Sequence, residues 1–393
     1  MLRKLTIQNF FSVKEEVVLD LSVAKNATDP DRRFAQPIPS SAARFPKAVV
    51  LFGANASGKT NVLRAVAFLA DFVRNSATWP PEMGMPYLPF DRAAPDSPNT
   101  RFTVEFDAAF FKEDAPRKIY VYELEIDSLR QAVVTEKLRY FPERKSRWLF
   151  QRSNGEIEAG RDFDLPKRDP VRKKVRKNTS VISTLAQFNH RFAMAIRTGL
   201  GVATNVGLPG KMEFNEPAVT KLYRADNEAF AALKRYVNKF DFGITDIDIQ
   251  PRTDGETPRF YHSGLSSPID YPFESQGTQN FYKSFLPLAL TLRHGGVAVM
   301  DELDSDIHPL LLPEIVRLFQ SPESNRFDAQ LIMSCHDPIL LESLNKEEIF
   351  FTEKDDHGRT RAYGLKDIQL VRRDTNIYAK YLAGAFGAVP RLG

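Results

Sequence analysis

One short motif constrains the fold of this chain more than any other feature of its sequence. Residues 53–60 read Gly-Ala-Asn-Ala-Ser-Gly-Lys-Thr, which matches the pattern G-x-x-x-x-G-K-[ST]. The apolar run 48–52 directly before it is typical of a buried parallel strand. Apolar residues recur at helical spacing from Lys59 to about Arg74. The order of strand, glycine-rich loop and helix predicts an α/β fold whose loop binds phosphate.

Each position of the loop has an expected role in holding a nucleoside triphosphate. Lys59 can reach the β- and γ-phosphates, and the Thr60 hydroxyl can ligate Mg²⁺. The remaining positions supply backbone N–H groups to the phosphate oxygens, and they are Gly53, Ala54, Asn55, Ala56, Ser57 and Gly58. We therefore expect ATP and Mg²⁺ as ligands. A glycine-rich turn that binds nothing is the alternative, and the flanking strand and helix argue against it.

A second apolar strand ends in two adjacent carboxylates. The run Val-Ala-Val-Met at 297–300 precedes Asp301 and Glu302. We expect Asp301 to bind Mg²⁺ through water and Glu302 to polarise the attacking water. Taken alone, such a pair is more often a solvated strand end. In a chain that also carries the phosphate loop, it predicts hydrolysis of ATP.

Three further features complete the order of motifs. Ser275 and Gly277 open a helix predicted at 279–292, and a hydroxyl with a glycine at a helix N-terminus forms a second anion site. Asp304 follows the carboxylate pair closely. His336 follows another buried strand, predicted at 330–333, where an imidazole can touch a γ-phosphate. A histidine that caps a helix or lies in the core is the alternative for this last position.

This order of motifs resembles the ATPase heads of the ABC and SMC superfamily. Residues 5–12 (Leu-Thr-Ile-Gln-Asn-Phe-Phe-Ser) are also similar to the first strand of RecF, SMC and OLD-family heads. Within the superfamily, Ser-x-Gly-Thr at 275–278, the pair His308-Pro309 and the tail 381–390 resemble the RloA/AbiL-type ATPases. The resemblance is most specific over three segments, 1–60, 274–308 and 331–390.

The resemblance implies roles that cross a subunit boundary. Ser275 and Gly277 would contact the γ-phosphate held by the opposite subunit, Asp304 would lie in the D-loop, and His336 would be the switch histidine. The signature reads Glu-Ser-Gln-Gly-Thr rather than Leu-Ser-Gly-Gly-Gln, which argues against a transporter ATPase. The glutamine of the Q-loop stays open between three candidates, Gln131, Gln151 and Gln187.

RloA/AbiL-type proteins are associated with bacterial abortive infection and anti-phage defence, and a second, effector protein is usually encoded beside them. The resemblance therefore implies a slow, Mg²⁺-dependent ATPase that acts as a homodimer or higher homo-oligomer and controls a separate effector, such as a Toprim nuclease or another toxin. Only 57 residues follow His336, and a Toprim domain needs about 100, so we expect any nuclease in another chain.

Two other functions compete with the defence switch. One is a RecF- or SMC-like clamp that closes on DNA in repair, for which nucleic acid would be the partner. The other is a nucleotide-binding scaffold with negligible turnover, and the presence of both Asp301 and Glu302 argues against it. Salt-dependent DNA binding would separate the clamp from the switch.

The fold class that follows is α/β, an ABC/SMC-type P-loop ATPase head with an antiparallel β lobe and an inserted helical subdomain. Period-two alternation between about 100 and 152 predicts the antiparallel meander, and two amphipathic stretches between about 180 and 240 predict the helices. The expected parts are 1–85, the N-terminal ATPase lobe with the phosphate loop; 86–165, the antiparallel β part; 166–262, a basic loop and the helical subdomain; and 263–393, the C-terminal lobe with the signature, the carboxylate pair and the switch histidine.

Composition limits the compartment and the partners. No apolar run approaches the roughly 18 to 20 residues of a membrane span, and the N-terminus lacks the features of a signal peptide, so we expect a cytoplasmic protein without membrane contact. The one cysteine, Cys335, is expected to be a buried small side chain at a strand end. Net charge is only +4, yet residues 167–177 carry seven basic side chains against one acidic. We expect this stretch to be a solvated face or mobile loop rather than a nucleic-acid contact.

Overall fold

The computed structural model describes residues 1–94, 96–109, 116–143, 145–208, 210–240, 243–252, 255–305, 307–369, 371–372 and 375–390. In chain order the strands are β1 (Leu2–Gln8), β2 (Val17–Asp20), β3 (Phe34–Ala35), β4 (Phe45–Pro46), β5 (Ala48–Phe52), β6 (Thr100–Ala108), β7 (Lys118–Asp127), β8 (Ala132–Phe141), β9 (Arg147–Ser153), β10 (Glu156–Ala159), β11 (Val202–Thr204), β12 (Ile244–Arg252), β13 (Gly255–His262), β14 (Ile269–Asp270), β15 (Val297–Met300), β16 (Gln330–Ser334), β17 (Ile349–Lys354) and β18 (Thr360–Gly364). The helices are α1 (Lys59–Asn75), α2 (Val181–Gln187), α3 (Arg191–Gly199), α4 (Glu216–Ala225), α5 (Asn227–Lys239), α6 (Gln276–His294), α7 (Leu312–Gln320) and α8 (Ile377–Leu382).

A mostly parallel sheet carries the phosphate loop. Its strand order is β11-β15-β16-β5-β17-β18, and only β18 runs antiparallel to its neighbour. Because β5 lies between β16 and β17, the loop that follows it leaves from the middle of the sheet. The two strands that precede Asp301 and His336 lie beside β5 on one side. The topology thus collects the sequence motifs at one edge.

Burial explains why β5 reads as a continuous apolar run. Val49 and Leu51 point into a first apolar cluster, and Ala48, Val50 and Phe52 point into a second, so both faces of the strand are covered. Helix α1 packs on the first face with apolar residues around much of its circumference, since the antiparallel sheet covers its other side. The helix that follows the phosphate loop is therefore fixed between two sheets.

The antiparallel sheet has the order β10-β9-β8-β7-β6-β1-β2, which confirms the predicted meander. A buried polar network connects this sheet to α2. The carboxylate of Glu136 accepts hydrogen bonds from the Tyr122 hydroxyl (2.9 Å), the Ser180 hydroxyl (2.7 Å) and the Val181 amide (2.9 Å). The Arg152 guanidinium lies 3.7 Å from it. Burial raises the pKa of Glu136, and these partners stabilise its charge.

The helices divide between the two clusters. Helices α2 and α3 pack into the first cluster, and α4 to α8 pack into the second together with β12 and β13. The inserted subdomain at 166–262 stays a prediction, and its helices contribute to both clusters. The strands predicted at 297–300 and 330–333 and the helices predicted from Lys59 and at 279–292 are confirmed, the last beginning three residues earlier than predicted.

The basic stretch 167–177 is only in part the solvated face that the sequence predicted. Its lysines and Arg168 are exposed, but Arg172 and Arg176 are half-buried. The Arg172 guanidinium donates to the backbone oxygens of Ile157, Leu165 and Pro166. The Arg176 guanidinium donates to those of Ser76, Ala77 and Trp79. The prediction is wrong for these two arginines, because their charges satisfy carbonyl groups of neighbouring segments.

Two other findings concern single predictions. Cys335 is fully buried at the end of β16, as predicted, and its amide donates to the Leu51 oxygen (3.0 Å). Burial raises the pKa of its thiol, which favours the neutral form of this side chain. Within the described part of the chain, no helix is both long enough and apolar enough to span a bilayer.

Candidate functional site

The phosphate loop folds around its own lysine. Lys59 is 5% exposed, and its ammonium donates to the carbonyl oxygens of Gly53 (2.7 Å) and Ala54 (3.1 Å). Burial lowers the pKa of Lys59, while the nearby carboxylates of Asp301 and Asp304 oppose that effect. The lysine is therefore held over the loop and close to the carboxylates that follow β15.

Gly58 has to be glycine for two reasons. Its φ of 108° lies in the left-handed region, and a Cβ there would lie 2.1 Å from Oγ1 of Thr360. That threonine donates to the backbone oxygen of Ser57 (3.0 Å) and contacts the Ser12 hydroxyl (2.7 Å). Ser57 in turn contacts the hydroxyl of Thr352 (2.7 Å). The loop is thus supported by the β1–β2 turn and by the β17–β18 hairpin.

Asp301 is positioned through its backbone and its side chain. Its amide donates to Oδ1 of Asn205 (2.7 Å), and the Asn205 amide group donates back to its carbonyl oxygen (2.9 Å). The Ser334 hydroxyl donates to Oδ1 of Asp301 (2.6 Å). Among the described residues, Oδ2 of Asp301 accepts no hydrogen bond. One carboxylate oxygen is therefore fixed and the other is available to a ligand.

Glu302 turns away from the strand in an unusual conformation. Its φ is 47°, and its amide donates to the Ser334 hydroxyl (2.8 Å). Its carboxylate is 43% exposed and lies between two cationic or ionisable groups, with Oε1 3.7 Å from Nε2 of His336 and Oε2 3.9 Å from Nζ of Lys211. The base predicted from the sequence thus lies next to the predicted switch histidine.

Asp304 connects the two strand ends. Its Oδ2 accepts hydrogen bonds from the amides of His336 (2.7 Å) and Asp337 (3.2 Å). Its Oδ1 is buried and has no hydrogen-bond partner in the described part of the structure. Asp304 therefore holds the backbone of His336 against the carboxylate pair within one chain, a role additional to the D-loop position that the resemblance implies.

The residues predicted to form the signature lie at the start of α6. The Ser275 hydroxyl accepts from the Thr278 amide (3.1 Å) and so caps α6, whose first turn contains the half-buried Gly277. Glu274, directly before it, is held by Nε2 of His262 (2.5 Å). Among the described residues, no hydrogen bond or ion pair joins Ser275 to the phosphate loop or to the residues around Glu302. The exposed cap is available to a ligand presented from outside the chain.

The structure does not support any of the three Q-loop candidates by contact. Gln131 accepts from the Met85 amide and donates to the Ser128 oxygen, so it fixes a loop, and Gln187 is exposed at the end of α2. No hydrogen bond among the described residues joins these or Gln151 to residues 53–60. The sequence reasoning missed other residues that do support the site, namely Ser12, Asn205, Lys211, Ser334, Thr352 and Thr360.

One protein family matches most of the chain. The family model described as "AAA domain, putative AbiEii toxin, Type IV TA system" matches residues 48–342, three quarters of the chain. The chain belongs to this AAA family. The matched range includes residues 53–60, residues 275–278, the pair Asp301-Glu302 and His336. No significant match was found among curated proteins.

Solved structures of SMC heads share the fold. The SMC head bound to the C-winged helix domain of ScpA is 14% identical, with a TM-score of 0.51 over 92% of this chain and 96% of that one. The SMC head domain from Thermotoga maritima is 13% identical (TM-score 0.44; 92% and 98% covered), and the Pyrococcus furiosus head bound to the C-terminal domain of ScpA is 12% identical (TM-score 0.49; 93% and 96%). At 14% identity and a TM-score of 0.51, the likeness to the SMC head bound to the C-winged helix domain of ScpA shows the fold alone, and it confirms the predicted α/β head fold.

The site of this AAA family member fits a cation completed by phosphate oxygens. The described residues include no group of three or more His, Cys, Asp or Glu side chains arranged to hold a metal alone. Two oxygen donors are available, the Thr60 hydroxyl and Oδ2 of Asp301. Neither has a hydrogen-bond partner among the described residues. Mg²⁺ is commonly held by one or two protein oxygens together with phosphate oxygens and water. These oxygen donors therefore fit an Mg²⁺ ion that the phosphates of a nucleotide also bind.

Proposed function

We propose that the chain is a Mg²⁺-dependent ATPase in which Glu302 is the general base. The observation that carries this proposal is the meeting of Lys59, Asp301 and Glu302 at the carboxyl ends of the neighbouring strands β15, β16 and β5. Family membership and the ATPase-head fold support nucleotide-dependent ATPase activity in the same region.

Each residue would act on a different part of ATP. Lys59 exchanges its bonds to the Gly53 and Ala54 oxygens for phosphate oxygens, which releases a buried ammonium to a stronger anionic partner. Thr60 and Asp301 would hold Mg²⁺, which when bound neutralises charge on the phosphates. Glu302 orients the attacking water and accepts a proton from it. His336 contacts the γ-phosphate next to that water.

We further propose that two copies close on two ATP molecules, with Ser275 and Gly277 of one copy completing the site of the other. The exposed cap at Ser275 supports this, because no hydrogen bond or ion pair among the described residues joins it to the phosphate loop. An ATP held between two anion-binding surfaces couples binding to closure, and hydrolysis weakens the bridge. Nucleotide state thereby becomes a signal for a partner.

The partner that fits best is a separate effector in bacterial anti-phage defence, of the abortive-infection or toxin–antitoxin kind. Two observations support this part of the proposal. The sequence resembles the RloA/AbiL-type ATPases, and the description of the matching family names an AbiEii toxin and a type IV toxin–antitoxin system. The ATPase would then be slow, because it serves to time the release of an effector.

Two variants test the chemistry. Lys59→Ala should abolish ATP binding, because its ammonium meets the phosphates in the ground state. Glu302→Gln should retain binding and lose turnover, because a carboxamide cannot accept the proton of water. Nucleotide affinity and phosphate release are measured for both. Parental turnover by Glu302→Gln would contradict the assignment of the base.

A mixing experiment tests the two-chain site. Lys59→Ala and Ser275→Arg are each expected to be inactive, and their mixture should recover a fraction of the parental rate. In a mixed dimer, one site combines an intact phosphate loop with an intact signature. A rate per chain that does not depend on protein concentration, together with no recovery in the mixture, would contradict the composite site.

The second candidate function is a RecF- or SMC-like DNA clamp, favoured by the exposed basic residues of 167–177. Such a clamp should bind duplex DNA with an affinity that falls steeply between about 50 and 200 mM salt. Binding of this kind that also requires ATP would favour the clamp over the effector switch.

A further inference from the structure

A short loop after the edge strand β11 is fixed to the carboxylate pair. The Asn205 side chain bonds both the amide and the carbonyl oxygen of Asp301, as described above. The amide of Met212 donates to the carbonyl oxygen of Asn205 (2.7 Å). Val206 and Lys211 form an isolated antiparallel bridge. The two ends of the loop are therefore bonded to each other, and Lys211 is held at a defined place relative to Asp301.

Lys211 lies directly over Glu302. Its ammonium is 3.5 Å from the Glu302 carbonyl oxygen, 3.5 Å from the Ser305 hydroxyl and 3.9 Å from Oε2 of the Glu302 carboxylate. His336 lies on the other oxygen of that carboxylate, at 3.7 Å. Each oxygen of the carboxylate thus has one of these neighbours, Lys211 on the loop after β11 and His336 just after β16.

Glu302 needs such support for two reasons. Its left-handed φ of 47° costs a non-glycine residue energy, so neighbouring contacts must maintain it. It also borders an open cleft of about 250 Å³ that Gln276, Asn280 and Lys283 of α6 line as well. A half-exposed carboxylate with this much free space can rotate away from the phosphate loop. An anchored cation next to it opposes that rotation.

We propose that Lys211 is a positioning residue for the general base, holding the Glu302 carboxylate toward His336 and the phosphate loop. This inference rests on the proposed ATPase function. Lys211 acts through Glu302 and the peptide that carries it, and it does not take part in binding ATP. Its removal should therefore affect turnover and leave nucleotide affinity unchanged.

The test compares steady-state ATPase kinetics of three variants. Lys211→Ala should lower kcat about fivefold, the size expected for losing a half-exposed ion pair, with the KM for ATP unchanged. Lys211→Arg should keep most of the activity, because it preserves the charge. Lys283→Ala is the matched control, since Lys283 lines the same cleft and no hydrogen bond or ion pair joins it to Glu302 among the described residues. A similar loss in Lys211→Ala and Lys283→Ala would contradict a specific role.

A double variant separates this inference from the proposed function. In the Glu302→Gln background, Lys211→Ala should cause no further loss of residual turnover, because the group it positions is already absent. If Glu302→Gln is inactive but Lys211→Ala has the parental kcat, the role of Lys211 is refuted and the ATPase proposal stands. If Glu302→Gln is fully active, the assignment of Glu302 as the general base fails, and the positioning role of Lys211 fails with it.

Discussion

A buried carboxylate beside the central strand makes the stability of this protein depend on pH. Glu348 lies in the 3-10 turn that leads into β17, and its side chain is fully buried. It accepts hydrogen bonds from the Asn345 amide (2.7 Å) and the Gln320 side chain (2.8 Å), with Arg33 3.5 Å away. Burial nevertheless dominates and raises the pKa of Glu348 from 4.5 to about 7.

The sign and size of the effect follow from linkage. Between pH 4.5 and 7 the folded state binds the proton of Glu348 more tightly than the unfolded state does, so the free energy of unfolding falls as pH rises. The difference between the two pKa values, at about 1.4 kcal/mol for each pH unit, gives a loss of about 3 kcal/mol. That is a large share of the roughly 5 to 15 kcal/mol that stabilises a typical domain.

Glu348→Gln removes this titration and keeps the shape of the side chain. Urea unfolding of the parent and the variant at pH 4.5, 6 and 8 should show the parent losing about 3 kcal/mol relative to Glu348→Gln across the range. Glu342→Gln, which removes an exposed carboxylate from the preceding turn, is the matched control. A stability difference between parent and Glu348→Gln that stays constant with pH would refute the reasoning.

Two further predictions concern the phosphate loop and the basic stretch. Gly58→Ala should abolish ATP binding in an equilibrium titration, because the new Cβ would lie 2.1 Å from Thr360. Gly155 also has a positive φ, but a Cβ added there has nothing within 4 Å, so Gly155→Ala should bind ATP normally. Arg172→Ala should lower stability by about 1 to 3 kcal/mol through its unsatisfied carbonyl partners, measured by thermal unfolding. Joint replacement of Lys167, Lys173, Lys174 and Lys177 by Ala should leave ATPase activity and any DNA affinity unchanged, and a large fall in DNA affinity would favour the clamp.

Local patterns were enough to predict the elements that carry the motifs. The run Ala48–Phe52, the helix after Lys59 and the strands before Asp301 and Cys335 are confirmed because each is apolar on the faces that the sheet and α1 bury. Parallel strands that are buried on both faces give an unbroken apolar run, which periodicity detects readily. The phosphate-loop motif then fixes their chemical context.

The missed elements have weaker local signals. β11 is three residues long and half-buried, and its place beside β15 depends on a pairing almost a hundred residues away. Asn205 and Ser334 belong to no motif, because they act by hydrogen bonds to Asp301 that only the tertiary fold creates. Arg172 and Arg176 read as solvated charges, since a sequence does not show which carbonyl groups need a donor.

The central claim, that ATP closes two copies of this chain on a shared site, is tested most directly by light scattering of Glu302→Gln. This variant should bind ATP without hydrolysing it, so the closed state accumulates. We predict that its mass doubles with ATP and Mg²⁺ and returns to that of the monomer with ADP. The double variant Glu302→Gln/Ser275→Arg should keep the mass of the monomer with ATP and Mg²⁺. A Glu302→Gln protein that is saturated with ATP and remains monomeric would contradict the account.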